Sequence, residues 1–250
     1  MPNIFTPSQD EQFITPFSPI IGYKKLSPSF VEKLNNSMND KLEDWSDTLV
    51  GKVKEELKFS DDMVKSFFEE MKDFIMKYQL NTEVYTSMGA RGLDPNSDYS
   101  IRATSGWFVR QFEGEYNPVH VHPDSMLSCV GYLKLPKGIE KEWEEDYKDH
   151  HPCKGHIEFL HGQGSKLNKN TCLIKPSVGD FFLFPADLTH TVYPFTSKGE
   201  RRSFSMNIVI KQKPIQNTNS LKNPFQYTKN TANRDLDIKG KTKIFRKDKQ

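Results

Sequence analysis

Hydrophobic positions along this 250-residue chain change their period near residue 81. Before that point they recur at helical spacing. Ser27-Pro28 reads as an N-cap followed by proline at the first helical position, and Phe30, Val31, Leu34 and Met38 continue on one face. A longer helix is predicted from Ser60-Asp61-Asp62, which caps its start and places carboxylates at its positive end. Its apolar stripe is Val64, Phe67, Phe68, Met71, Phe74, Ile75 and Tyr78. Such a stripe can line a groove for a partner, but a core face packed on a sheet is the simpler reading. Residues 1–26, with prolines and short apolar pieces without a period, read as an extended arm on the surface.

From about residue 81 the pattern becomes short strands bounded by turn residues. Thr82–Thr86, Ser105–Phe112, Leu127–Leu135, His156–Leu160, Thr171–Ile174, Asp180–Phe184 and Arg202–Ile210 qualify. The segment ARGLDPNSD and the acidic loop KGIEKEWEEDYKDHHP interrupt them. Strands following a helical start predict a mainly β protein, a sandwich or jelly roll with helices on one side. Beyond Gln212 the chain is polar and unpatterned, and a mobile or loosely docked tail is expected. Three regions result: an N-terminal arm with supporting helices (1–80), a β core (81–212) and a basic tail (213–250).

Composition narrows the class without changing this picture. Hydrophobic content of 35% and charged content of 27% fit a soluble globular protein. No apolar run approaches membrane length, so no membrane contact is expected, and the first residues lack the basic and apolar regions of a secretion signal. Cys129, Cys153 and Cys172 form no CxxC pair, and their odd number argues against a disulfide framework, pointing to a reducing, cytoplasmic compartment. The tail carries ten Lys/Arg against three Asp, a net +7, which leaves −5 for the rest of a chain totalling +2. A basic tail on an acidic body suits nucleic acid, an acidic partner or solubility, and nothing else in the sequence selects among them. Oligomeric state is not legible.

The densest chemical signal is YNPVHVHPDSMLSCVGYLKLP. His120 and His122 are two apart in an extended segment, so period-two geometry sends both imidazoles to one face, near enough to chelate one ion. A further ligand must come from elsewhere, and His190 follows the apolar run FFLFPADLT. Such imidazole-rich sites suit redox-active iron, whereas thiolates would suggest zinc. A histidine pair by itself is equally a surface or core feature. In GERRSFSMN, alternation puts Arg201, Ser203, Ser205 and Asn207 on one face and Arg202, Phe204 and Met206 on the other. A buried Arg201 with the Ser203 hydroxyl beside it can clamp a dicarboxylate by forked, charge-assisted bonds, though a solvated basic turn would look the same. Asn117 can orient a ligand, but a turn role in Tyr-Asn-Pro is the simpler reading. His150, His151, Cys153, His156 and His161 form a second cluster; Cys153-x-x-His156 has zinc-like spacing, yet the acidic loop around it favours residues at a pocket mouth.

Taken in order, His120-Val-His122-Pro-Asp-Ser-Met-Leu-Ser128, the run Gly179–Pro185, His190-Thr-Val192-Tyr-Pro194 and Arg201-x-Ser203 resemble the 2-oxoglutarate and iron(II)-dependent oxygenases. The resemblance covers about residues 105–210, and it is distantly similar to the aspartyl/asparaginyl and prolyl hydroxylases. It implies a double-stranded β-helix, Fe(II), 2-oxoglutarate as cosubstrate and O2. It further implies hydroxylation of a peptidyl residue or small molecule with release of succinate and CO2. On this resemblance His120 and His190 would hold the metal, with His122 as third ligand and Asp124, in His122-Pro-Asp124, as its rival. Pro123 cannot join a strand ladder, which favours ligands before it. Arg201 and Ser203, with the Tyr132 hydroxyl, would take the distal carboxylate of 2-oxoglutarate. The family tends to have an aromatic where this chain has Gly131, so one pocket aromatic is expected to be missing. Two other classes stay open: a three-histidine cupin-type dioxygenase that does not use 2-oxoglutarate, and a non-catalytic jelly-roll binding module.

Overall fold

The computed structural model describes residues 4–5, 9–14, 19–39, 41–86, 99–145, 150–212, 234–236 and 242–244. In the N-terminal part these form β1 (Ile4–Phe5), β2 (Glu11–Ile14), β3 (Ile21–Lys25), α1 (Pro28–Ser37), β4 (Glu55–Lys58) and α2 (Asp61–Thr86). There follow β5 (Tyr99–Gln111), β6 (Asn117–His120), β7 (Leu127–Lys134), α3 (Ile139–Glu145) and β8 (Ile157–Leu160). The core closes with β9 (Thr171–Ile174), β10 (Asp180–Pro185), β11 (Thr189–Val192) and β12 (Arg201–Gln212).

From β6 onward the chain crosses repeatedly between two sheets. One has the order β1-β9-β8-β11-β6 and the other β2-β3-β10-β7-β12-β5-β4. This is a double-stranded β-helix, mainly antiparallel, with few helices. The layer between the sheets is apolar because alternate residues of each strand face inward. Ile21, Tyr23, Val130, Tyr132, Phe182 and Phe184 from one sheet meet Ile157, Phe159, Ile174 and Val192 from the other. The opposite face of the seven-stranded sheet is also covered. Phe67, in the first turns of α2, lies 6.1 Å from both Phe181 and Phe204, ring centre to ring centre.

Both helices start where capping chemistry predicts. Ser27 Oγ accepts from the Phe30 amide, and Ser60 Oγ from the Met63 amide. Two expectations fail. Residues 82–86, read as a strand, end helix α2 instead, so the boundary expected at residue 81 falls inside that helix. The Thr82 hydroxyl donates to Tyr78 O one turn back, which satisfies a β-branched residue inside a helix that its local propensity disfavours. The N-terminal arm is also less peripheral than its sequence suggests. Strand β3 pairs with β10, and Ile20, Ile21 and Tyr23 are buried.

The chain divides into two compact units, residues 1–67 with 103–209, and residues 68–102 with 210–250. Everything concerning the candidate site lies in the first. The expected mobile tail falls largely outside the described residues; within it Arg234–Leu236 (β13) pairs antiparallel with Thr242–Ile244 (β14). No helix among the described residues is long and apolar enough to cross a membrane.

Gly131 turns out to serve packing and not the pocket. It sits opposite Phe204 in the β7–β12 register, and a Cβ there would come within 2.2 Å of the Phe204 ring. The absent aromatic at 131 would therefore point away from the inner layer, and the cavity is not widened by its loss. Gly131→Ala is expected to destabilise the fold by about 1–3 kcal/mol through overpacking, read as a lower midpoint in denaturant. An unchanged midpoint would show that Phe204 moves aside freely.

Strand β4 carries a buried acid. Glu56 is 1% exposed and its Oε2 has no hydrogen-bond partner. Burial raises its pKa to about 7, with a Trp107 hydrogen bond acting in the lowering direction. The folded state thus binds a proton that the unfolded chain has released, and this contribution to stability is lost as pH rises from about 4.5 through 7. Glu56→Gln is expected to gain about 2–3 kcal/mol on the parent between pH 5 and pH 8. The difference between the two denaturation curves isolates Glu56 from buried histidines, whose depressed pKa values act in the opposite sense over this range. A difference that does not change with pH would sink the assignment.

Candidate active site

Three histidines converge at one end of the inner layer. In the β6–β11 ladder His120 lies directly opposite His190, so a cross-strand pair brings the two imidazoles together. His122 follows just past the end of β6, and its amide donates to Ala186 O, which holds this segment beside β10. Val119 and Val121, between and beside the histidines, are exposed, as period-two alternation requires. One ligand nitrogen from each of His120, His122 and His190 lies within 4.8 Å of the others. The Nε2 atoms of His122 and His190 are 3.3 Å apart.

Nδ1 of His120 is 2.7 Å from Pro118 O, and Nδ1 of His190 is 2.8 Å from Leu188 O. Donation to these carbonyls places the proton on Nδ1 and turns the Nε2 lone pair toward the common centre. The third ring is held differently: Asn207 Nδ2 lies 3.4 Å from Nδ1 of His122, and Asn207 Oδ1 accepts from Ser128 Oγ. Ligation through Nε2 requires the amide oxygen of Asn207 to face His122 and its nitrogen to face the serine. Burial lowers the pKa of all three rings, to about 4 for His122 and about 3 for His190, with the neighbouring His120 adding to the effect on both. Neutral imidazoles are the ligating form, so this donor set fits a divalent transition metal.

Asp124 does not join the group. It is exposed in the turn after His122, and among the described residues the three histidines are the one set of His, Cys, Asp or Glu side chains that meets in this way. The second histidine cluster disperses likewise. His151 turns to the Tyr193 hydroxyl at 3.3 Å, while His156 packs on Trp143 and sets its Nδ1 2.9 Å from Lys154 O.

The histidines share a cavity with Arg201 and Ser203, whose walls include Trp107, Asn117, Ile157, Phe184 and Ser205. The cavity is partly open to solvent. Asn117 opens β6 and lines this space, so it is not merely a turn residue. Strand β12 delivers the face expected from alternation, with Arg201, Ser203 and Ser205 on the cavity and Phe204 and Met206 buried behind them.

Arg201 is 1% exposed, yet among the described residues no carboxylate pairs with it. Its Nη1 donates to Gln111 Oε1 at 2.9 Å, while Nε and Nη2 are buried without partners. The guanidinium lies over the Tyr132 ring, 4.8 Å from its centre, and the buried Tyr132 hydroxyl is likewise unpartnered. Burial raises the Tyr132 pKa to about 12, against the lowering effect of Arg201, so the hydroxyl keeps its proton and can donate. Burial lowers the Arg201 pKa, but a guanidinium stays charged at any working pH. Unmet donors on a buried cation are costly unless an anion completes them. A carboxylate bound here would do so.

The neighbouring arginines are provided for differently. Glu200 accepts from Arg202 Nε and Nη2, Arg110 Nε and Lys134 Nζ, each at 2.8 or 2.9 Å. Burial would raise its pKa, but these bonds outweigh that and hold it at about 2.

Residues 105–207 match the model of a family described as "Putative 2OG-Fe(II) oxygenase". This segment is similar to the 2OG-Fe(II) oxygenases. The fold is similar to that of a Pseudomonas putida prolyl-4-hydroxylase, at 14% identity and a TM-score of 0.47, covering 76% of this chain and 91% of that one. It is also similar to a prolyl hydroxylase from Trichoplax adhaerens, in complex with a hypoxia inducible factor peptide fragment, at 12% identity and TM-score 0.44, over 72% and 75% of the two chains. HygX from Streptomyces hygroscopicus, with nickel and 2-oxoglutarate bound, matches at 9% identity and TM-score 0.46, over 76% and 82%. Comparison with curated proteins finds no match. Sequence reasoning about the oxygenase site missed Trp107, Gln111 and the hold of Asn207 on His122. Of these only Asn207 left a signal, through its place on the cavity-facing side of β12.

Proposed function

We propose that this protein is an iron(II)- and 2-oxoglutarate-dependent dioxygenase that hydroxylates a peptidyl residue or a small molecule, releasing succinate and CO2. The observation that supports this most strongly is Arg201, a fully buried cation with two orphaned N–H groups in the same cavity as three neutral, converging imidazoles. In this reading His120, His122 and His190 hold the metal through Nε2. Arg201 and Ser203, with the Tyr132 hydroxyl donating, hold the distal carboxylate of 2-oxoglutarate. The apolar wall of Val109, Ile157, Phe184 and Val192 keeps water from the space between them. Iron(II) with 2-oxoglutarate and O2, when bound, supplies the oxidising power that no side chain has. Cys129, Cys153 and Cys172 form no disulfide with one another, which fits the cytoplasmic, reducing compartment proposed for it.

Anaerobic titration of the iron-loaded protein with 2-oxoglutarate tests the reading. A metal-to-ligand charge-transfer band that saturates at one equivalent, followed by succinate release in air, is expected. Because no carboxylate stands among the three histidines, a three-histidine dioxygenase without 2-oxoglutarate is the second reading, and metal binding without the band would select it. A protein that takes up no metal would be a jelly-roll binding module.

A further inference from the structure

We propose that Gln111 is the positioning residue for Arg201: it aims the guanidinium and, being neutral, leaves its charge to the incoming dicarboxylate. This rests on the oxygenase reading above and extends it to a residue outside the family's histidine and arginine pattern.

Gln111 ends β5 and is fully buried. Its Nε2 donates to two backbone carbonyls, Glu115 O at 2.5 Å and Tyr193 O at 3.3 Å. Both hydrogens of the amide are thereby committed, so the amide cannot flip and Oε1 must face Arg201. The carbonyls are themselves fixed. The turn from Phe112 to Glu115 is closed by the Phe112 amide donating to the Glu115 carboxylate at 2.8 Å, and by Gly114 N donating to Phe195 O at 2.9 Å. Gly114 holds φ +78°, a conformation that suits glycine.

Oε1 then anchors only Nη1 of Arg201. The two orphaned groups, Nε–H and Nη2–H, are the adjacent pair of the guanidinium fork that meets both oxygens of a carboxylate. Anchoring one terminal nitrogen with the Tyr132 ring below leaves that pair as the free edge. Charge supports the same conclusion. Glu200, next along the chain, is held by Arg110, Lys134 and Arg202, so the fold gives an acid to the two half-buried guanidinium groups nearby and a neutral amide to this fully buried one. A carboxylate at position 111 would neutralise Arg201 from within and compete with the ligand.

The test compares the parent with Gln111→Met and Gln111→Glu under anaerobic conditions. Each metal-free protein is titrated with iron(II), and each iron-loaded protein with 2-oxoglutarate. Iron affinity is expected to stay within about twofold, since Gln111 touches no histidine. Affinity for 2-oxoglutarate should fall a few-fold in Gln111→Met and by roughly tenfold or more in Gln111→Glu, because an internal carboxylate occupies the guanidinium. A purely structural role would lower the melting temperature of both variants without this order. Gln111→Glu binding 2-oxoglutarate as tightly as the parent overturns the inference. A parent that binds iron but no 2-oxoglutarate overturns the oxygenase reading instead. Should the variants not fold, side-chain NMR of the parent decides. On adding 2-oxoglutarate the Arg201 Nε–H signal should shift while the Gln111 amide stays protected from exchange; a Gln111 amide that exchanges freely overturns the proposal.

Discussion

Arg201→Ala is expected to weaken 2-oxoglutarate binding by about 30- to 1,000-fold, corresponding to roughly 2–4 kcal/mol for a charge-assisted bond lost in a buried site. The guanidinium is 1% exposed, and among the described residues the cavity lining holds no second Lys or Arg to which the dicarboxylate could turn. Iron(II) affinity should be nearly unchanged, because Arg201 is absent from the histidine group. Arg202→Ala is the control, and the structure gives it a different phenotype. Its guanidinium faces away from the cavity and bonds Glu200 and Asn35, so its loss should lower stability by about 1–3 kcal/mol and spare 2-oxoglutarate binding. The measurement is the anaerobic charge-transfer titration beside a denaturant melt. Equal losses of 2-oxoglutarate affinity in the two variants would contradict the strand register.

His190→Ala should abolish stoichiometric binding of Fe(II) or Mn(II). His190 is the most enclosed of the three histidines, its ring packed against Phe184 and Phe159 and its Nδ1 fixed by Leu188 O. Alanine there removes a preoriented donor and leaves two imidazoles across an apolar gap, which no nearby side chain can fill. The same titration on His122→Ala and Asp124→Ala separates the rival third ligands. Loss with the first and parent-like binding with the second is expected, since Asp124 is exposed and outside the group. If Asp124→Ala loses metal while His122→Ala keeps it, the turn after β6 must rearrange on binding.

How much of this was legible in the chain depends on the range of the interaction. Strands β7, β9, β10 and β12 were readable because a short run of apolar and β-branched residues, continuous or alternating and bounded by turn residues, is a local property. Both helix starts were readable because a cap is satisfied within one turn. By the same logic the pattern put Arg201, Ser203 and Ser205 on one face and Phe204 and Met206 on the other, and motif order alone singled out His120, His122 and His190. The strand read at residues 82–86 failed because the β-branched preference of Thr82 and Val84 is weaker than continuation of a long helix.

Tertiary structure decided what depends on two distant segments meeting. Whether His190 stands opposite His120 is a matter of register between strands some seventy residues apart, and period-two patterning allows any even shift along the strand. That His122 and not Asp124 stands beside the other two histidines depends on where the chain bends after β6, where the His122 amide donates to Ala186 O just past β10. That Gly131 makes room for Phe204, and that Arg201 receives an amide while Arg202 receives an acid, also follow from cross-strand neighbours. The sequence by itself determined which side chains could form this site; only the folded chain determined which donors are left without a partner, because burial and pairing are properties of neighbours and not of residue types.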